Sequence, residues 1–192
     1  NHLTEEAAGW VESNSRILAA QAKRLILITK SSKHLTSIEQ ETLEPVALLV
    51  LSNPLRAGTK EIINFFQDRG VKVRVISGDN PLTVQAIAEQ AGIKHTDLVI
   101  TGDEIAKMDE EAFEERVPAY HVFARIYPEQ KEKIITHLKK HGFTAMIGDG
   151  ANDALAIKKS DLGIAMFEGA PATRQIAQVV LVNNSFAALP AG

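Results

Sequence analysis

The sequence predicts an α/β fold with a doubly wound, Rossmann-like parallel sheet. Three observations carry this. From Pro45 onward, short apolar runs alternate with amphipathic helical segments. Those runs (VALLVL, VKVRVI, FTAMI, LGIAM and VVLV) are apolar enough to be covered on both faces. The helical segments are punctuated by stops at Gly70 and Gly92 and by Pro81 in a first turn.

The opening segment reads as a helix. Thr4 is placed to cap it, Glu5 and Glu6 suit its first turn, and Val11, Ile17 and Leu18 form its apolar side. Arg24 to Thr29 (RLILIT) reads as a strand, and the polar stretch from Lys30 to Glu44 as a hairpin or a linker. After VALLVL, a helix presents Ile62, Phe65 and Phe66 on one face. The next carries Val84, Ile87, Ala88 and Ala91 on one stripe. A later helix shows Ile134, Ile135 and Leu138, and a short one starts near Asn152. The expected division is a small unit over residues 1–44 and a larger one over 45–192.

Bulk properties narrow the function. With 192 residues, 45% of them hydrophobic, the chain can build one well-packed domain with a small appendage. A formal net charge of -3, with Lys and Arg dispersed, gives no footprint for nucleic acid. The absence of cysteine excludes disulfides, thiolate metal sites and cysteine nucleophiles. The longest wholly apolar run, Val46 to Leu51, is far below the ~20 residues of a spanning helix. The first residue is Asn1, with no initiator Met, so the chain is expected to be a fragment.

In doubly wound folds, chemistry sits beyond the carboxyl ends of the strands. VKVRVI is followed by Ser77, Gly78, Asp79 and Asn80, a hydroxyl and a glycine turn that could approach a phosphate. A plain turn capped by Asp79 or Asn80 is the alternative. FTAMI is followed by Asp149, Asn152 and Asp153 between and after glycines, a hard-oxygen set suited to Mg2+. A helix cap would need only one of them. Lys131 lies in the first turn of the helix entered at Pro128, where a cation is slightly disfavoured by the helix dipole. It could hold a phosphoryl group, or be an ordinary surface lysine. A hydroxyl, a lysine and a carboxylate pair, each at a helix start of one sheet, make a phosphoryl clamp. No G-x-x-x-x-G-K-[ST] is present, so this is not a P-loop.

ISGDNPLTVQAIAEQAGI, FARIYPEQK and MIGDGANDALAIKKSDLGIAM resemble successive signatures of P-type ATPases within the haloacid dehalogenase-like superfamily. The resemblance spans Pro45 to Pro190 and extends more weakly to AKRLILIT. It is greatest to bacterial cation-transporting pumps, with Ca2+ one option for the cation. It implies ATP as substrate, Mg2+ as cofactor, and a multi-pass membrane parent of which this is a cytoplasmic segment. It implies that Ser77 bonds the phosphoryl group and Gly78 offers it backbone. Asp79, Arg125 and Arg24 would lie at the nucleotide. Lys131 would neutralise phosphate and Asn152 contact it. Asp149 would bind Mg2+, with Asp153 holding the metal site in place. Two departures stand out. An Asp-Pro-x-Arg hinge reads Asn53-Pro54-Leu55-Arg56 here, and the D-K-T-G-T motif that carries the phosphorylated aspartate is absent from these residues. In the family that motif ends the central strand, between the strands leading to Ser77 and Asp149. The resemblance therefore predicts a gap there, filled by another copy, by an upstream peptide, or closed by rearrangement. A trimmed soluble phosphatase and a non-catalytic regulatory module are the competing readings.

Overall fold

The computed structural model describes residues 3–31, 43–52, 54–183 and 185–191. Helix α1 (Glu5–Ala19) is capped by Thr4, whose hydroxyl accepts the Ala7 N–H. Strand β1 (Lys23–Lys30) pairs antiparallel with β2 (Glu44–Ser52), from Lys23 opposite Ser52 to Lys30 opposite Glu44. The register slips between Ile28 and Thr29, where Pro45 has no N–H to give the ladder. This corrects one expectation. VALLVL does not begin the parallel set; it finds a long apolar partner next to it in sequence. The residues joining the two strands, and Asn53 of the hinge motif, lie outside the described residues.

The parallel part begins after α2 (Thr59–Gln67). Its elements run β3 (Val75–Ile76), α3 (Pro81–Gln90), β4 (Val99–Thr101), α4 (Gly102–Ile105), α5 (Glu110–Arg116), β5 (Val122–Ala124) and α6 (Pro128–Leu138). Then come β6 (Ala145–Gly148), α7 (Ala154–Lys159), β7 (Leu162–Met166), α8 (Pro171–Ile176) and β8 (Val179–Leu181). All ladders here are parallel. VKVRVI was expected as a full strand, but only Val75 and Ile76 join a ladder, because β3 has a partner on one side only. Arg74 is instead tied by its guanidinium to the Pro118 and Tyr120 carbonyls. Strands β4 and β5 have three residues each, too short for a periodic signal.

Among the described residues the parallel strands form two sheets, ordered β3-β5-β4 and β6-β7-β8. Strands β3 and β6 are therefore edges. They end at Ser77 and Asp149, the two sides of the expected gap, and they have not rearranged to pair with each other. Layers on both faces justify the apolar strands. On β5, Phe123 packs with Ile105, Phe113, Ile126 and Ile134, while Val122 and Ala124 face Val84, Ala88 and Ile93 of the α3 side. Helix α6 bridges the halves. Ile134 and Leu138 enter the first core, and Ile135 packs with Met146, Ala156 and Ile157 beside β6. Ile76 of β3 touches both groups.

Candidate functional site

Ser77, Gly78 and Asp79 follow β3, Arg125 follows β5 and Asp149 follows β6, whereas Lys131 lies in the first turn of α6 and Arg24 within β1. Ser77 follows β3 and is half-buried. Its backbone is fixed on both sides: its N–H donates to Phe123 O, and its carbonyl accepts the Ile126 N–H. Its Oγ accepts the Asp79 N–H at 3.1 Å, which leaves the hydroxyl proton to donate elsewhere. Asn80 is the cap of α3, its Oδ1 accepting from Leu82 N–H at 3.0 Å. The plain-cap reading thus holds for Asn80 and not for Asp79.

Lys131 and Asp153 form a short ion pair. Nζ donates to Asp153 Oδ1 at 2.7 Å, and each side chain is about one-tenth exposed. The second Asp153 oxygen accepts the Gly150 N–H at 3.2 Å. Asp153 therefore joins α6 to the loop after β6, with both oxygens engaged. Gly148 has no room for a side chain, since a Cβ there would lie 2.6 Å from that of Asp153. Asp149 and Asn152 are exposed. The Asp149 carboxylate makes no ion pair among the described residues.

Mg2+ commonly takes one or two protein carboxylates and completes its shell with water and phosphate oxygens. The donors here fit that pattern: an exposed carboxylate at Asp149, and in the same loop region Asp153, anchored by a lysine and a backbone amide. No group of three or more histidine or acidic side chains of metal-holding geometry occurs among the described residues.

A second cluster lies on the other side of the Ser77 turn. A cavity of about 630 Å3 is lined by Gly78, Asp79 and Arg125 together with Arg24 of β1 and Arg16 of α1. Arg24 reaches Asp79 at 3.8 Å, both side chains being substantially exposed. The structure thus gathers Arg24, Gly78, Asp79 and Arg125 around one opening. It joins Lys131 separately to Asp153 and the loop after β6. Arg125 has left-handed backbone, φ +51°, which costs an L-residue about 1–2 kcal/mol. Its N–H donates to Asp79 O at 3.1 Å.

Three residues of the site were not singled out in the sequence. Gly169 packs against the Asp149 backbone, where a Cβ would meet Asp149 O at 2.6 Å. Ala170 donates its N–H to that same carbonyl. Gln130 links α6 to the start of α4, its amide donating to Gly102 O at 2.8 Å. The Gly-Ala-Pro turn before α8 was the available signal for the first two; Gln130 had none.

Comparison with known proteins gives the family of the chain. A profile of haloacid dehalogenase-like hydrolases matches residues 2–161. The calcium-transporting ATPase CtpE of Mycobacterium bovis is 40% identical over 177 residues, covering 90% of this chain and 22% of that protein. The probable cation-transporting ATPase exp7 of Streptococcus pneumoniae is 39% identical over 191 residues, covering 96% of this chain and 23% of that protein. The probable cation-transporting ATPase I of Mycobacterium leprae is 36% identical over 199 residues, covering 96% and 12%. The chain thus spans about a fifth of the length of the first two relatives, and less of the third. No helix among the described residues is long and apolar enough to cross a membrane. With a profile that covers most of its length, and parallel strands flanked by helices beneath it, this chain belongs to the haloacid dehalogenase-like hydrolases.

Proposed function

We propose that this chain is the phosphoryl- and magnesium-handling part of a P-type ATPase that moves a cation across a membrane. On this reading residues 1–44 end a nucleotide-binding domain, and residues 45–192 form most of the phosphorylation domain. Strand β2 is laid back on β1 across that division. The observation that carries the reading is the arrangement at the two edge strands. Ser77 follows one and Asp149 the other, with the Lys131–Asp153 pair beside the second. The names of these relatives, all cation- or calcium-transporting ATPases, support the class of activity.

The residues divide the work as their contacts suggest. The Ser77 oxygen accepts the Asp79 N–H and its proton has no acceptor among the described residues, so it can donate to a phosphoryl oxygen. Lys131 brings a positive charge that Asp153 orients, offsetting charge on the transferred group. Asp149 would hold Mg2+, with Asp153 and Gly169 fixing its loop. The metal, when bound, supplies Lewis-acid neutralisation of the phosphate oxygens. Arg24 and Arg125 suit the polyphosphate of ATP, and Asp79 faces the same cavity. The nucleophile, an aspartate in a D-K-T-G-T segment, belongs to a part of the parent protein not contained in these residues. It would enter between β3 and β6 and form the aspartyl phosphate by covalent catalysis. Ca2+ is the cation favoured by the relatives' names.

The 192-residue chain is accordingly expected to have no ATP turnover of its own. Phosphate release measured with MgATP should stay at the buffer rate. Steady Mg2+-dependent turnover that disappears in Asp149→Ala would overturn the assignment of the nucleophile to the parent protein.

A further inference from the structure

Gln130 and Gly102 play no part in the clamp just described, yet they sit against it. Gly102 is buried at the start of α4, and its Cα faces the peptide that follows Arg125. A Cβ at Gly102 would lie 2.3 Å from Arg125 O and 2.6 Å from Gln130 Oε1. Gln130 uses both ends of its amide. Its Nε2 donates to Gly102 O at 2.8 Å, and its Oε1 accepts the Tyr127 N–H at 3.1 Å. The segment from Ala124 to Tyr127 is therefore held on two sides. The Ser77–Asp79 turn accepts the Arg125 and Ile126 amides, and the Gly102–Gln130 link backs the Arg125 carbonyl. Within this grip Arg125 is the residue with left-handed backbone, and its side chain lines the cavity shared with Arg24 and Asp79.

We infer that Gln130 is a positioning residue: with Gly102 it locks the strained Arg125 peptide so that the guanidinium faces the phosphates of a nucleotide. The nucleotide part rests on the reading proposed above; the mechanical part does not. A left-handed arginine relaxes unless its surroundings over-determine it. The β4–β5 ladder ends at Thr101 opposite Ala124, and two bonds from one carboxamide extend the constraint past it to the Arg125 peptide.

Two variants separate positioning from simple helix capping. Gln130→Glu keeps an acceptor for the Tyr127 N–H and suits the first turn of a helix, but has nothing to donate to Gly102 O. Gln130→Ala loses both bonds. In the 192-residue chain, amide hydrogen exchange is expected to accelerate by about tenfold or more at Arg125 and Ile126 in both variants. Phe123 in the middle of β5 should exchange as in the wild type. Unchanged exchange at Arg125 and Ile126 in Gln130→Glu, with Gln130→Ala affected, would reduce Gln130 to a cap and overturn the inference. In the full-length protein, both variants should raise KM for ATP by about tenfold with kcat within about twofold, as Arg125→Ala should. An unchanged KM in Arg125→Ala would refute the nucleotide reading of the cavity, and with it the purpose assigned to the lock. Normal KM in both Gln130 variants alongside a raised one in Arg125→Ala would refute positioning alone.

Discussion

Lys131 and Asp153 are held 2.7 Å apart with little water around either, so each depends on the other. A buried pair contributes little net stability, but removing one partner leaves an uncompensated charge. Lys131→Ala should therefore lower unfolding stability by about 3 kcal/mol in urea titrations. Lys131→Met combined with Asp153→Leu should cost less than the two single changes added together. Additive losses would mean that the pair is not coupled. The residue types at this position were readable in the sequence, because a lysine in the first turn of α6 works against the helix dipole. The partner was not. A spacing of 22 residues carries no periodic signal, and only the approach of α6 to the loop after β6 brings them together.

At the scale of elements, α6 has the heaviest duties. It carries Gln130 and Lys131 at its start, and its flanks seal both cores. Its periodicity marked Ile134, Ile135 and Leu138 in advance, whereas β4 and β5, three residues each, left no pattern to find. Helix α6 also buries His137 against Phe113 of α5, with neither ring nitrogen hydrogen-bonded among the described residues. Burial pushes this imidazole below its ordinary 6.5, and His141 and Lys140 push the same way. Burial lowers His121 beneath β3 as well, against the Val73 carbonyl that accepts from its ring. The sign follows directly. Well above pH 6.5 both histidines are neutral in the folded and unfolded chain. As pH falls through that value the unfolded chain takes up protons first, so stability falls until the depressed folded values are passed. Unfolding free energy should thus decline as pH falls from about 7 through 6.5, and His137→Leu should flatten part of that decline. An identical slope in His137→Leu would show that His137 is not part of the linkage.

On the scale of the whole molecule, the divided sheet is the defining feature. The parallel α/β class was legible, because apolar strands and capped helices alternate along most of the chain, although the strand at Pro45 belongs to the antiparallel pair. The long ladder of β1 with β2 was not, because an apolar strand reads alike whether its neighbour is parallel or antiparallel. Among the described residues strands β3 and β6 are each an unpaired sheet edge, and edges within a fold invite a strand. On the function proposed above, these edges and the paired Lys131 and Asp153 would form one half of a phosphoryl-transfer site, with the nucleophile on a strand of the parent protein. The most direct test is acid-stable labelling of the full-length protein with γ-32P ATP. The account predicts a Mg2+-dependent label, sensitive to hydroxylamine as an acyl phosphate is, that is lost in Asp149→Ala and absent from the 192-residue chain alone. Undiminished labelling in Asp149→Ala, or no acid-stable label in the full-length protein, would contradict it.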